Sequence, residues 1–130
     1  MRKIKTLVVD DNETFLRGAA LMLNALPGVE VLAQVNSGIN ALVVVQAHTP
    51  DLVLLDFNMP DMNGIETVWR LRSQGYGGKI VLMSLASESD IREQRPNLDA
   101  DAFIDKQHFA AGVTAAIERL FAQPAKRECT

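Results

Sequence analysis

Polar side chains of three chemical types follow short apolar runs at four places along the chain. Asp10 and Asp11 come directly after the first run, Asp56 and Ser84 come directly after two later runs, and Lys106 comes two residues after the last. If these runs are parallel strands of one sheet, their carboxyl ends open on the same crevice. Three carboxylates, one hydroxyl group and one ammonium group then converge at one edge of the sheet.

Three carboxylates in one crevice cannot all remain ionised unaided, because like charges raise each other's pKa. A hard divalent cation such as Mg²⁺ relieves this repulsion, and Mg²⁺ commonly binds phosphate oxygens as well. A carboxylate is also a nucleophile toward phosphorus, and the transferred group then needs positive charge and hydrogen-bond donors. The set therefore predicts phosphoryl transfer to Asp56 beside Mg²⁺, with Lys106 and Ser84 of the right types to contact the phosphoryl oxygens.

Each of these residues has a simpler interpretation when it is taken alone. Asp11 or Asn12 could cap the helix after the first strand, and an isolated Asp56 would more often be a loop or cap residue. A single serine means little, and a single lysine is usually a solvated surface charge. The functional interpretation depends on the joint placement of the residues at four strand ends.

Five short apolar runs supply the strands that such a site requires. Three of them are continuously apolar, which is typical of strands buried on both faces of a parallel sheet. The second run alternates with polar residues and suits a strand nearer the sheet edge. The predicted strands are residues 6–9, 29–35, 52–55, 80–83 and 102–104.

Helical patterns lie between these runs, and the first is an apolar stripe that begins at Phe15. Residues 39–47 are ambiguous, because three consecutive valines favour a strand whereas the position between two strands favours a crossover helix. Residues 88–99 are polar and contain Pro96, which predicts a short or irregular helix. The alternation of strands and helices predicts a doubly wound α/β domain with a parallel sheet.

The composition limits the class of protein. The 130 residues fit one domain, predicted over residues 1–122 with a short tail over residues 123–130. A net charge of −3 argues against binding to nucleic acid backbones, which needs a clustered basic face. Cys129 lies in the tail, where a disulfide or metal site is not expected. The sequence shows no apolar run near 18 residues and no leader pattern, which predicts a cytoplasmic protein without a membrane partner.

Four segments together resemble the receiver domain of two-component response regulators, over nearly the full chain. Residues 51–64 carry the specific pattern Asp-x-x-Met-Pro-x-Met-x-Gly. The pair Asp10 and Asp11, residues 84–86 and residues 103–106 fall at the matching places around it. The resemblance implies a (βα)5 domain whose five-stranded parallel sheet has the flavodoxin-like strand order 2-1-3-4-5.

The resemblance also implies roles for the acidic residues. Asp56 is the expected phosphoacceptor, and Asp11 is the expected direct ligand of Mg²⁺. Asp10 is expected to act through a water molecule or as an alternative ligand. The backbone carbonyl of Asn58 is the expected third protein ligand, and its side chain is expected to influence how fast the phosphoryl group is lost to water.

Three further residues take roles from the same resemblance. Lys106 is expected to pair with Asp56 and later with the phosphoryl oxygens. Ser84 is expected to hydrogen-bond the phosphoryl group when the loop after the fourth strand closes. Phe103 matches the aromatic switch position, which moves inward as Ser84 is drawn to the phosphate. A plain core aromatic is the alternative interpretation of Phe103.

The chain departs from the usual family pattern beside the site. Gln107 follows Lys106 where the family usually has a proline, often in a cis bond that would cost about 3–4 kcal/mol with glutamine. Residues 99–102 include two aspartates where small residues and glycine are usual, and Pro96 interrupts the fourth helical segment. We therefore expect an intact phosphorylation site and an unusual signalling surface on the fourth helix, fifth strand and fifth helix.

These observations favour a phosphorylation-dependent switch. A sensor histidine kinase or a phosphotransfer protein is expected to donate the phosphoryl group, and phosphorylation is expected to alter binding to a downstream protein. Its expected catalysis is limited to its own phosphorylation and dephosphorylation. One alternative is a phosphate-independent interaction module on the same fold. Another is a Mg²⁺-dependent phosphatase, which the sequence disfavours because Asn58 stands where such enzymes need an acid/base aspartate.

The output of the switch is expected to pass through protein contacts. Residues 27–30 and their spacing to Lys106 resemble receivers attached to helix-turn-helix transcription factors. No DNA-reading element follows Phe121 in this chain, so direct binding to nucleic acid is not expected. The sequence favours a stand-alone receiver, or else the receiver of a transcriptional regulator, and leaves homodimer formation open.

Overall fold

The strands form where the apolar runs predict them. The computed structural model describes residues 3–85, 88–94 and 97–122. The strands are β1 (Ile4–Val9), β2 (Val29–Val35), β3 (Leu52–Asp56), β4 (Lys79–Ser84) and β5 (Ala102–Asp105). They lie parallel in one sheet in the order β2-β1-β3-β4-β5, which confirms the predicted topology and places the alternating β2 at an edge.

The connections between the strands are helical, including the ambiguous second one. Three valines in a row there favour a strand by propensity, but two parallel strands need a crossover, and Val45 is buried within a helix. The helices are α1 (Glu13–Asn24), α2 (Gly38–His48), α3 (Gly64–Ser73), α4 (Glu88–Gln94) and α5 (Phe109–Leu120), with a 3₁₀ turn over Lys106–His108.

Helices cover both faces of the sheet, which explains the continuously apolar central strands. In β1, Val8 packs in the core with α1 and α5, whereas Leu7 and Val9 pack in the core with α2 and α3. Successive side chains of a strand point to opposite faces, so one apolar run serves two cores. All three side chains are fully buried, and each such burial stabilises the fold by about 1.5–3 kcal/mol.

Asparagine caps fix the start of the helices that follow β1 and β3. Asn12 accepts a hydrogen bond from the backbone N–H of Phe15 at 3.0 Å, so Asn12 rather than Asp11 caps α1. Asn63 accepts from the N–H of Glu66 at 2.9 Å and caps α3. Such a cap contributes about 1 kcal/mol. The cap at Asn12 leaves the Asp11 carboxylate out of the helix start.

The turn after β5 accommodates Gln107 without the proline that the family usually has. The backbone N–H of Gln107 donates to Asp105 Oδ1 at 2.9 Å, and the described chain contains no cis peptide bond. Proline has no N–H, so it could not make this hydrogen bond. Asp105 therefore caps the 3₁₀ turn over Lys106–His108, and α5 follows that turn.

The polar fourth connection forms the short helix that the sequence predicts, since α4 has seven residues. Its residue Ile91 is buried. Pro96 lies outside the described residues, as do residues 123–130 of the predicted tail. The altered signalling surface therefore stays a prediction. Within the described ranges, no helix is long and apolar enough to span a bilayer.

Candidate functional site

The carboxyl ends of the central strands bring three carboxylates into one cluster. Asp10 follows β1 directly, Asp56 ends β3, and both side chains are buried. Asp11 lies beside them at the exposed rim. One oxygen from each of the three carboxylates lies within 4.8 Å of the other two. The predicted convergence of these residues at one edge of the sheet is therefore present in the structure.

Lys106 places its ammonium group between two of these carboxylates. Its Nζ atom lies 2.7 Å from Asp10 Oδ2 and 3.6 Å from Asp56 Oδ1. The sequence led us to expect Asp56 as the partner, but the shorter contact is to Asp10. Asp10 also accepts the backbone N–H of Asn12 on its other oxygen at 2.9 Å. Asp10 thus holds the lysine, and Asp56 is the less fully neutralised of the two buried carboxylates.

The burial of Asp56 and the charges around it together raise the pKa of this carboxyl. Burial, followed by the charge of Asp10, raises the pKa of Asp56 from 3.8 to about 6, although Lys106 and the backbone N–H of Asn58 oppose the shift. Burial lowers the pKa of Lys106, but the hydrogen bond to Asp10 and the charge of Asp56 outweigh it and raise that pKa. At neutral pH the site therefore contains one ammonium group and an excess of carboxylate charge.

The donor set fits a hard divalent cation. All three clustered side chains offer carboxylate oxygens, which Mg²⁺ prefers, and their excess negative charge would be offset by such an ion. Asp10 Oδ2 is buried and, among the described residues, takes no aligned hydrogen bond besides its ion pair with Lys106. Exposed Asp11 keeps one side of the cluster accessible to solvent. The residues present therefore suit Mg²⁺ at this place.

The loop after Asp56 is held against the sheet by backbone contacts. The N–H of Phe57 donates to the carbonyl of Met83 at 2.9 Å, and the N–H of Gly64 donates to the carbonyl of Phe57 at 2.7 Å. A Cβ atom on Gly64 would lie 2.9 Å from the Cα of Phe57, so a side chain there would displace the loop. Asp61 accepts the first two backbone N–H groups of α2. The sequence pattern around Asp56 thus fixes the loop that presents Asn58.

The remaining predicted residues lie on the neighbouring strands. Ser84 ends β4, is buried, and pairs in register with Asp105 at the end of β5. Phe103 lies three residues before Lys106 and is only partly buried. The guanidinium of Arg92, on α4, lies 4.5 Å from the centre of the Phe103 ring. Phe103 is thus a boundary residue between β5 and α4 rather than a fully buried core aromatic.

Sequence reasoning missed one contact at this site. Phe15 belongs to the apolar stripe of α1 and packs against the core as expected, but its ring also lies 4.6 Å from the ammonium of Lys106. Its position four residues after Asp11, in the first turn of α1, was the available signal. That signal places Phe15 near the crevice but does not identify its partner.

A doubly wound parallel α/β domain with an acidic cluster and one lysine at the carboxyl ends of its strands defines a flavodoxin-like domain with an acidic crevice. The model of the response regulator receiver domain family matches residues 6–118. The chain therefore belongs to the receiver domain family of two-component response regulators, whose members act as switches in phosphorelay signalling.

Individual relatives agree with this assignment. The chain is 32% identical over 84 residues to the nitrate/nitrite response regulator NarL of Escherichia coli K12, covering 65% of this chain and 39% of that protein. It is 30% identical over 115 residues to the transcriptional regulatory protein NarL of Mycobacterium tuberculosis H37Rv, covering 88% and 53% of the two chains. The matched region thus spans about half or less of these relatives.

Solved structures show the same fold. The signal receiver domain of the response regulator NarL from Mycobacterium tuberculosis superposes with a TM-score of 0.84 at 28% identity, covering 95% of this chain and 100% of that one. CheY in a CheX-CheY-BeF3-Mg complex from Borrelia burgdorferi gives a TM-score of 0.84 at 20% identity, covering 94% and 92%. The second similarity concerns the fold alone.

Proposed function

We propose that this chain accepts a phosphoryl group on Asp56 in a Mg²⁺-dependent reaction. One observation carries the proposal. Asp56 is a buried carboxylate, 5% exposed, whose oxygen lies within 4.8 Å of oxygens of Asp10 and Asp11 and 3.6 Å from Lys106 Nζ. A carboxylate in a purely structural ion pair would not be expected to lie among two other carboxylates with a single ammonium group.

The metal would be held by Asp11, Asp10 and Asp56 through carboxylate oxygens, with the backbone carbonyl of Asn58 as a further ligand. When bound, it supplies positive charge that offsets the carboxylates and the phosphoryl oxygens. The family relationship and the acidic cluster support this ligand set.

In the proposed reaction the Asp56 carboxylate oxygen forms the new bond to phosphorus while the bond from phosphorus to the donor's leaving atom breaks. The Lys106 ammonium, held by Asp10, then offsets negative charge on the phosphoryl oxygens. The hydroxyl of Ser84, at the end of the neighbouring strand, donates a hydrogen bond to the phosphoryl group. The chemistry of the chain is limited, in this proposal, to the gain and loss of that group.

We further propose that a sensor histidine kinase or a phosphotransfer protein is the donor, and that a downstream protein reads the phosphorylated state. Phe103, at the boundary of β5 and α4, is the proposed aromatic that changes position with Ser84. Residues 1–122 form the proposed receiver domain. Several relatives are named as transcriptional regulators, which supports a role in the control of transcription through a protein contact or a separate domain.

Intact-mass measurement after incubation with acetyl phosphate and Mg²⁺ tests this proposal. The wild type is expected to gain the mass of one phosphoryl group, and chelation of Mg²⁺ with EDTA is expected to prevent the gain. Asp56→Asn should gain nothing, because the amide is not a nucleophile of the required kind. Asp99→Asn, at an exposed aspartate away from the cluster, is the matched control and should be labelled like the wild type.

No labelling of the wild type under conditions that label another receiver would contradict the proposal and favour a phosphate-independent interaction module. Equal labelling of Asp56→Asn would instead show that another residue accepts the group.

A further inference from the structure

Two aromatic rings lie near Lys106, the first in contact with its ammonium group and the second in contact with the first ring. The ring of Phe15, in the first turn of α1, lies 4.6 Å from Lys106 Nζ. The ring of Phe109, the first residue of α5, meets the Phe15 ring edge-on, with the ring centres 5.2 Å apart and the planes at 77°. Neither phenylalanine has a role in the proposed phosphoryl transfer.

The ring of Phe15 restricts a side chain that is otherwise flexible. Lysine has a long unbranched stem and a compact charge, and ordering it costs up to about 2 kcal/mol. A cation over an aromatic face gains about 0.5–1 kcal/mol at exposed sites and about 2 kcal/mol when water is excluded. Lys106 is mostly buried, and its Nζ atom lies between Asp10, Asp56 and this ring. The ring therefore helps to confine the ammonium group to the gap between the two carboxylates.

Side-chain caps hold the backbone close to both rings, at the start of α1 for Phe15 and at the start of the 3₁₀ turn before α5 for Phe109. The backbone N–H of Phe15 is bound by the Asn12 side chain at 3.0 Å. Phe109 follows the turn that Asp105 closes through the N–H of Gln107 at 2.9 Å. The turn at Gln107, where the family usually has proline, is thus followed directly by Phe109, which contacts Phe15. Phe15 in turn contacts Lys106.

We propose that Phe15, held in place by Phe109, is a positioning residue that keeps the Lys106 ammonium between Asp10 and Asp56. This proposal rests on the proposed phosphorylation of Asp56 for its functional consequence. A well-placed ammonium contacts the phosphoryl oxygens without first being reordered. Loss of the ring face therefore weakens the affinity of the site for a phosphoryl group, while the carboxylates that would bind Mg²⁺ stay unchanged.

Nuclear magnetic resonance of the metal-free chain tests the geometry independently of activity. Protons on the Lys106 ε-carbon should resonate upfield in the wild type because of the ring current of Phe15, and the signal is assigned by its loss in Lys106→Met. The upfield shift should disappear in Phe15→Leu, persist in Phe15→Tyr, and decrease in Phe109→Leu. Phe121→Leu, at the far end of α5, is the matched control and should leave it unchanged.

Binding of beryllium fluoride in the presence of Mg²⁺ tests the consequence. Phe15→Leu should bind about five- to tenfold more weakly than the wild type, which is the effect of losing one cation–π contact. Phe15→Tyr, which keeps the ring face, should lie within about twofold of the wild type. Affinity for Mg²⁺ alone should be unchanged in both variants. If Phe15→Leu does not fold, Phe109→Leu is used in the same measurements, with a smaller loss expected.

The two proposals fail in different ways. If the wild type is phosphorylated on Asp56 but Phe15→Leu keeps wild-type affinity for beryllium fluoride, the positioning role is overturned and the proposed function stands. A lost ring-current shift without a change in affinity overturns it as well. If the wild type is not phosphorylated and does not bind beryllium fluoride, the proposed function fails first. An unshifted Lys106 signal in the wild type overturns the geometric basis of the inference directly.

Discussion

Each end of the parallel sheet holds a basic side chain among acidic residues, but the two ends are balanced differently. At the carboxyl end, the single ammonium of Lys106 faces the clustered carboxylates of Asp10, Asp11 and Asp56. At the amino end, the guanidinium of Arg72 is surrounded by acceptors that match its donors. The carboxyl end therefore has three clustered carboxylates against one ammonium group, whereas at the amino end the guanidinium faces two carboxylates, only one of which is partly buried.

The contacts of Arg72 show that the hydrogen-bond donors at the amino end have acceptors. Its Nη1 atom donates to the carbonyls of Tyr76 at 2.9 Å and Gly78 at 2.8 Å, and its Nη2 atom donates to Asp101 Oδ2 at 2.9 Å. Asp101 Oδ2 also accepts the backbone N–H of Ile80 at 2.8 Å. This network ties the end of α3 to the starts of β4 and β5. Its donors and acceptors are matched, whereas the cluster at the other end has more carboxylates than cations.

The largest effect is expected from removing the cation at the amino end. Arg72→Met should lower the free energy of unfolding by about 3 kcal/mol, because it removes the donor of two carbonyls and the positive charge beside the partly buried Asp101, which keeps only the N–H of Ile80. Urea unfolding monitored by circular dichroism measures this. Arg70→Met, on the same helix, is the matched control, since Arg70 pairs with Glu66 in a half-exposed pair and should cost about 0.5 kcal/mol or less.

If Arg72→Met and Arg70→Met lower the free energy of unfolding equally, the hydrogen bonds of Arg72 do not stabilise the amino end of the sheet. The contrast between the two ends would then reduce to a difference in the number of charges.

The next largest effect is a gain of stability at the carboxyl end. In EDTA at pH 7, Asp56→Asn should raise the free energy of unfolding by about 2 kcal/mol, because it removes a buried charge whose pKa is raised from 3.8 to about 6. The unfolded chain ionises Asp56 at lower pH than the folded chain does. The contribution of Asp56 to the stability of the wild type therefore falls as the pH rises from about 4 to about 6, and this penalty is complete above that range.

Urea unfolding of both proteins at a series of pH values checks the sign as well as the size. The stability advantage of Asp56→Asn should shrink as the pH falls from 7 to 4, and it should be smallest near pH 3, where the wild-type carboxyl is protonated in both the folded and the unfolded states. An advantage that is constant with pH would mean that the gain comes from packing or hydrogen bonding rather than from charge at the carboxyl end.

The sequence was sufficient to predict the burial of each central strand and the position of the residues that directly follow it. The continuously apolar runs reflect burial on both faces, and residues that follow parallel strands must meet at one edge, so the positions of Asp10, Asp11 and Asp56 followed from local pattern. The second connection needed one further step, because the geometry of a parallel crossover overrides the strand propensity of its three valines.

Contacts between distant segments could not be predicted in the same way. Asp101 stood out only as a departure from the family pattern, and its pairing with Arg72, 29 residues earlier, depends on the register of β4 and β5. Helical periodicity placed Phe15 on the inner face of α1 but could not show that Lys106 lies across from it. The bond from the N–H of Gln107 to Asp105 is local by contrast, since it joins residues two positions apart.

The smallest expected effect separates hydrogen-bond geometry from charge at the amino end. Asp99→Asn should change the free energy of unfolding by less than about 0.5 kcal/mol, because its carboxylate is 72% exposed and lies 3.5 Å from Arg72 Nε. The bond from Nε to the backbone carbonyl of Asp99, at 3.2 Å, survives the substitution. Asp101→Asn, which alters an acceptor of two donors, should cost about 1–2 kcal/mol in the same urea titration. If the two substitutions lower the free energy of unfolding equally, net charge rather than matched donors and acceptors stabilises the amino end. The two ends of the sheet would then differ only in their number of charges.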